Sequence, residues 1–288
     1  MTDYSYYPGC SLEGSSRAYD VSARSVSQTL GVNLIELEDW NCCGATTYMS
    51  VAEKRGLALS ARNLALAEKE HRDLVTVCNG CFCVLNKTNQ YLAAEEGLRR
   101  EISQALQAAD LEYHGTVKVR HLLDVLVNDV GESAVRENVT NDLKGLKVAP
   151  YYGCQLNRPR GMFDDPEWPT TLDSLISWLG AEAAPYPLKT KCCGGMLMTT
   201  NSDVCETVVF RLLSAAVEAG AECLVTLCPL CQINLEAYQG RVNKSFGSRF
   251  DLPIFFFTQI VGLALGLDEK SLLVGDNLTP CKAIAGRY

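Results

Sequence analysis

Two adjacent cysteines followed by glycine occur twice in this chain, at Asn41-Cys42-Cys43-Gly44 and at Lys191-Cys192-Cys193-Gly194-Gly195. Each copy sits inside a larger array. The first holds Cys10, Cys42, Cys43, Cys78 and Cys81, and the second holds Cys154, Cys192, Cys193, Cys228 and Cys231. The gap from Cys43 to Cys78 is 34 residues, and so is the gap from Cys193 to Cys228. Four cysteines map onto the second array by adding 150, and Cys10 maps onto Cys154 by adding 144. One pattern used twice therefore accounts for ten of the 14 cysteines. This predicts a duplicated scaffold with two metal sites.

Fourteen thiols need a compartment as well as a fold. Met1-Thr2-Asp3-Tyr4 carries neither a basic segment nor an apolar one, so no secretory signal is expected. A chain of 288 residues has no need of disulfide staples. A reducing, cytoplasmic setting follows, where clustered thiols serve metals or redox chemistry. The net charge of -8 leaves no overall footprint for nucleic acid. The longest apolar run, Leu252 to Leu267, is interrupted and short for a membrane span, so no membrane insertion is expected.

The cysteines fall where strands should end. Residues 4–10 read as a strand running into a turn at Pro8-Gly9, and residues 15–30 as a helix. Val32 to Leu37 is a strand ahead of Cys42, and Ala52 to His71 is a helix. Leu74 to Val77 is a strand that stops at Cys78-Asn79-Gly80-Cys81, followed by a helix over 84–106. The second half repeats the order, with strands over 146–152 and 223–227, a loop over 157–169, and helices over 171–179 and 202–219. Thr170 or Thr171 is the expected helix cap. Ile254 to Phe257 is a further strand. The expected fold is α/β: two pseudo-symmetric cysteine-rich domains, each a small, mostly parallel sheet with helices. The first spans 1–145, including a connecting segment from about 108, and the second spans 146–288.

Cys-x-x-Cys brings two sulfurs to one tight turn, a feature shared by zinc ribbons, thioredoxin-like sites and iron–sulfur proteins. The count narrows the choice. Structural zinc and a cubane cluster each take four ligands, whereas each array offers five. Five thiolates imply an exchangeable ligand or a cluster with more ligand positions. Adjacent cysteines suit a body larger than one ion.

Cys10, Cys42-Cys43-Gly44 and Cys78-x-x-Cys81, with their second set, resemble the CCG family of cysteine-rich domains, and within it the catalytic B subunits of heterodisulfide reductases. The resemblance runs from Pro8-Gly9-Cys10 to about Gly266 and includes the stretch Pro187 to Gly195. It implies two noncubane [4Fe-4S] clusters, one per array, each held by its five cysteines. It implies a small disulfide or thiol substrate between them, reduced to two thiols or processed in reverse. It also implies partners: a ferredoxin-like iron–sulfur subunit (the C type) and a flavin-containing subunit (the A type). The reaction would then fall to cluster iron rather than to a side chain. Three other readings stay open: a non-catalytic electron-transfer module, zinc in one or both arrays, and a dithiol enzyme.

Residues outside the pattern have plainer expectations. Cys205 and Cys223 read as small core residues. Cys83 aligns with Ile233, which argues against a required ligand, and Cys281 lies in a tail. His71, His114 and His121 lack metal spacing and read as surface or satisfied polar groups. Lys189, Lys191, Arg158 and Arg160 are candidates for a basic pocket around an anionic substrate. Asn79-Gly80 and Pro229-Leu230 are expected only to shape their turns.

Overall fold

The computed structural model describes residues 1–45, 47–158 and 163–279. Arg160 and Cys281 lie outside the described residues. Short apolar runs alternating with amphipathic stretches build two four-stranded parallel sheets. In the first half the order is β1 (Thr2–Tyr7), α1 (Arg17–Thr29), β2 (Val32–Glu36), α2 (Thr47–Val51), α3 (Glu53–Lys69), β3 (Leu74–Thr76), α4 (Asn79–Ala94), α5 (Glu96–Gln107) and β4 (Val119–His121). Its strands lie in the order β2-β1-β3-β4. The joining helices are α6 (Leu122–Asp124), a π-helical turn over Val125–Val130, and α7 (Gly131–Asn138). The second half runs β5 (Lys147–Tyr151), α8 (Thr171–Trp178), β6 (Glu182–Ala183), α9 (Leu197–Thr200), α10 (Ser202–Glu218), β7 (Cys223–Thr226), α11 (Pro229–Glu236), α12 (Gln239–Phe246), β8 (Ile254–Phe256) and α13 (Phe257–Ala264). Its strand order, β6-β5-β7-β8, repeats the first.

This order creates the site. The chain leaves β1 toward β2 on one side and returns to β3 on the other. A parallel sheet opens a crevice beyond its carboxyl ends at such a reversal. Cys10 follows β1, Cys42-Cys43 follow β2, and Cys78 follows β3; the second half does the same. Central strands are covered on both faces, so β3 and β7 are wholly buried, as continuous apolar runs should be.

Three expectations change. The segment over 108–145 is more than a connection, because β4 pairs with β3 and completes the first sheet. The expected helix over 84–106 starts earlier and is broken in two: α4 begins at Asn79, and Glu95 is extended between α4 and α5. Cys-x-x-Cys is thus the first turn of a helix, with Cys78 or Cys228 at the cap position. Thr170 stands at the cap of α8 but makes no capping bond with its side chain. Asp164 caps instead, accepting from the backbone N–H of Thr170 at 2.9 Å and of Thr171 at 2.8 Å.

The halves exchange helices. α13, which follows the last strand of the second sheet, packs on α1 of the first. In the mirrored arrangement, α6 and α7 pack on α8. Tyr19 stacks on Phe256 with ring centroids 4.1 Å apart, and the Ser22 and Thr258 hydroxyls lie 2.6 Å apart. One apolar core runs through both halves and includes Tyr19, Leu122, Tyr152, Leu172, Phe256 and Ile260. No described helix is long and apolar enough to cross a membrane.

Candidate metal centres

The same local devices place the cysteines in both halves. Tyr7 ends β1, and its hydroxyl donates to the carbonyl of Asn41 at 2.8 Å. Tyr151 ends β5, and its hydroxyl donates to the carbonyl of Lys191 at 2.7 Å. Each tyrosine therefore pins the residue just before the cysteine pair. Asn63 reinforces Asn41, accepting from its N–H at 2.9 Å and donating to its carbonyl at 2.8 Å. In the second half Asn234 donates to the carbonyls of Cys193 and Gly195, at 3.1 and 2.8 Å.

Glycine precedes the first cysteine of each array because sulfur sits where a side chain would be. Gly9 has φ +78°, and a Cβ there would stand 3.0 Å from Cys81 Sγ. Gly153 has φ +68°, and a Cβ would stand 3.3 Å from Cys231 Sγ. Both the left-handed backbone and the close approach require glycine. Cys205 packs behind the second pair, its Sγ 3.7 Å from the carbonyl of Cys193.

Each array converges on one cavity. Cys10, Cys42, Cys43, Cys78 and Cys81 line a space of about 200 Å³. Cys154, Cys192, Cys193, Cys228 and Cys231 line another of about 60 Å³. Cys228, Gln155 and Leu230 line both, so the two spaces are neighbours across the boundary between halves. Cys42 Sγ is 3.7 Å from Cys10 Sγ, and Cys43 Sγ is 3.5 Å from Cys81 Sγ. Among the described residues no three His, Cys, Asp or Glu groups are arranged around a single ion. The sulfurs surround a space rather than a point.

Thiolate character is uneven. The Cys10 and Cys43 thiols, with the N–H of Gly44, hold the Cys42 thiol far below its ordinary value. Cys154, Cys193 and the N–H of Gly194 do the same for Cys192. Cys228 is held low by Cys231, and then by Cys78 across the boundary. Cys81 and Cys231 are pushed up by their contacts with the Cys43 and Cys193 thiols and by burial. Ten soft sulfur donors, several predisposed to lose their protons, form a donor set that suits iron–sulfur clusters.

The expected basic pocket does not reach these cavities. Lys189 is buried, donating to the carbonyl of Pro169 at 2.6 Å and to Asp173 at 3.0 Å. Arg158 is engaged with Glu167 at 2.9 Å and with the carbonyl of Pro166. Lys191 is exposed. None of the three lines either cavity. Lysine and arginine near a cysteine motif look like anion binders in sequence, but here the charge of Lys189 is consumed by a neighbour 16 residues away. Cys83 faces the carbonyl of Arg158 at 3.8 Å, outside both cavities.

Other residues carry more than their sequence suggested. Asn79 shapes a turn and also donates to the carbonyl of Tyr152 at 2.7 Å, bridging the halves. His121 is fully buried, with Nδ1 accepting from the N–H of Leu123 at 3.1 Å and Nε2 left without a partner of good geometry. A signal for the tyrosines was available: Tyr7 maps onto Tyr151 by the same 144 residues that relate Cys10 to Cys154. Asn79 has no such signal, since its partner comes from a distant segment, and neither has His121, whose ring neighbours Phe82 and Phe257 are distant along the chain.

Comparison with known proteins agrees with this duplication. The profile of the CCG family, described as "Cysteine-rich domain", matches residues 4–86 and again 148–236. The chain is 32% identical to the 8-methylmenaquinol:fumarate reductase membrane anchor subunit of Wolinella succinogenes, covering 96% of each chain. It is 30% identical to the B subunit of the ferredoxin:CoB-CoM heterodisulfide reductase of Methanosarcina mazei, over 96% of this chain and 94% of that one. It is 31% identical to a protein of Archaeoglobus profundus that is like the B subunit of heterodisulfide reductase, over 100% of this chain and 98% of that one. The crystal structure of a hypothetical protein from Helicobacter pylori shares the fold, with a TM-score of 0.72 and 14% identity. That match covers 96% of this chain but only 52% of the longer one.

Proposed function

Because the chain belongs to the CCG family of cysteine-rich domains, we propose that it is the iron–sulfur subunit of a heterodisulfide reductase-like complex. The observation that carries this reading is the pair of adjacent cavities, each lined by all five cysteines of one array. Cys10, Cys42, Cys43, Cys78 and Cys81 would hold one [4Fe-4S] cluster of noncubane type. Cys154, Cys192, Cys193, Cys228 and Cys231 would hold the second. When bound, such clusters supply electrons singly and iron that takes sulfur as a ligand.

The balance of the reaction explains why two sites should face each other. A disulfide, two electrons and two protons give two thiols. Clusters held by these two neighbouring sets of cysteines would supply one electron each, so that no free thiyl radical need be released. The chain's own residues keep the arrangement fixed: Tyr7 and Tyr151 lock the cysteine pairs, Gly9 and Gly153 admit the last sulfur of each array, and the shared core holds the halves together. Electrons would arrive from a ferredoxin-like partner of the C type, fed by a flavin-containing partner of the A type.

The fumarate reductase relative supports a second reading, in which the clusters only relay electrons to a partner protein or a quinone. A spectral change on adding disulfide to the isolated chain favours reduction at this site, and none favours relay.

The deciding measurement is iron, acid-labile sulfide and zinc per chain, purified without oxygen. Roughly eight iron and eight sulfide with negligible zinc are expected. Cys43→Ser and Cys193→Ser should each lose one cluster's spectrum and nearly all turnover. Roughly four iron with one zinc would assign one array to structure, and full activity in either variant would defeat the reading.

A further inference from the structure

The helix α11 opens at the Cys-Pro-Leu-Cys turn of the second array and closes on a buried acid, Glu236. Glu236 is 3% exposed and, among the described residues, makes no ion pair. Its partners are amides. Gln232, one turn back, donates Nε2 to Oε2. The N–H of Thr279 donates to Oε1 at 3.1 Å, and the N–H of Leu278 is a second donor to the carboxylate. Both of these N–H groups belong to the segment that follows α13.

Residues 268–279 cross from α13 to α11. Leu272 is wholly buried in the space that a Cβ at Gly262 of α13 would need. Gln259 of α13 donates to the carbonyl of Leu272 at 3.3 Å and to Asn277 Oδ1 at 3.1 Å. Asn277 in turn donates to the carbonyl of Ile254 at 3.1 Å. Of these fastenings only the one at Glu236 can gain or lose a proton. The first half has no equivalent, because Asn86 stands 150 positions before Glu236 and donates to the carbonyls of Phe82 and Val119.

We propose that residues 268–279 form a proton-operated strap, fastened to α11 through Glu236 and released as pH rises above neutral. A carboxylate buried without a cation is disfavoured, and more so at the carboxyl end of a helix. Burial pushes the Glu236 carboxyl up to about 7, against an ordinary 4.5, although the two strap N–H groups pull it down. Release admits water and returns the group toward its ordinary value. Between these values the fastened state holds a proton that the released state does not. Fastening is therefore strongest at low pH and weakens as pH rises toward 7 and past it. Gln232 suits both forms, since an amide can donate to a carboxylate or accept from a carboxylic acid. No neighbouring charge competes. Packed on α11, β8 carries only Ile254-Phe255-Phe256, and Glu206, the buried acid of α10, is paired with Arg241. The other charged residues of α10, and Asp268, Glu269, Lys270 and Asp276 of the strap, are exposed.

Hydrogen exchange at Leu278 and Thr279 in the full chain, corrected for the intrinsic effect of pH, tests the strap. In the natural protein their protection should fall roughly tenfold between pH 6 and pH 8, the change expected for one linked proton. Glu236→Gln keeps the shape of the protonated acid and cannot ionise. Its protection should match the natural protein at pH 6 and stay there at pH 8. Protection that does not change with pH in the natural protein, or that falls equally in Glu236→Gln, overturns the proposal. Should Glu236→Gln fail to fold, Glu236→Asp, whose carboxylate is one methylene shorter, is measured instead. It should leave both amides poorly protected at either pH, and the natural tenfold change in that variant would overturn the strap.

Discussion

Gly153 shows how much a single residue can determine here. Its backbone is left-handed, and the space a Cβ would take is bounded by Cys231 Sγ and Asn79 Nδ2, at 3.3 and 3.6 Å. Gly153→Ala is strained by its φ and presses on a sulfur of the second array at once. The fold should lose about 1–3 kcal/mol. The sharper outcome is chemical: iron per chain should fall from about eight to about four, with the first array's spectrum kept. Iron analysis and denaturant unfolding on one preparation check both parts. A glycine before a cysteine is visible in sequence, and so is its repeat at Gly9. That the neighbour is a sulfur from 78 residues away is not.

Among the elements, α1 and α13 carry the contact that makes one molecule of two repeats. Tyr19 of α1 stacks on Phe256 and meets Phe257 edge-on, at 6.1 Å. Its hydroxyl is buried without a partner. The ring and the hydroxyl therefore have opposite effects on stability. Tyr19→Ala should cost about 3–5 kcal/mol, as large aromatic truncations in cores do. Tyr19→Phe keeps the ring, removes the unmet group, and should be neutral or stabilising by about 1 kcal/mol. Denaturant midpoints for the two variants should move in different directions, or only the alanine variant should move. The helical period of α1 was legible in the sequence, and Ala18 and Val26 are buried while Val21 and Leu30 are half-buried. Its partner was not legible, because the apolar stripe of a helix does not say what covers it.

At the scale of the whole molecule, His121 lies where the halves meet. It ends β4, fully buried between Phe82 and Phe257, beside the carbonyls of Val77 and Leu227 that precede Cys78 and Cys228. Burial holds its imidazole down at about 4, against an ordinary value of 6.5. Between these values the unfolded chain binds a proton that the folded chain does not. Stability from this group is therefore full above about pH 6.5 and is lost as pH falls toward 4, by about 3 kcal/mol in total. Phe256 holds the matching register position in the second sheet, so a phenyl ring is a sound replacement. His121→Phe should flatten the difference in unfolding free energy between pH 7.5 and pH 5, measured as midpoint shifts against the natural protein. An unchanged slope would mean that the imidazole takes up its proton without opening the core.

The duplication is also uneven on its surface. The segment ahead of the first cysteine pair is acidic, and Glu13, Glu36, Glu38 and Asp39 line a hollow of about 650 Å³ beside Cys10 and Cys42. The matching segment in the second half carries Lys189 and Lys191. A hollow of about 990 Å³ lies among Glu68, His71, Asp110 and His114 and contains no cysteine, so size alone does not locate the chemistry.

Spacing in the sequence determined the ten cysteines, the duplication and the order of strands and helices. Those properties depend on local geometry: a strand end, a tight turn and a residue count fix where a sulfur can be. Only the tertiary structure decided that β4 completes the first sheet, that Lys189 spends its charge on Asp173, and that Asn79 reaches across to the second array. Each of these depends on a partner brought close by packing of distant segments, and no periodicity or spacing along the chain encodes which distant surface a buried group will meet.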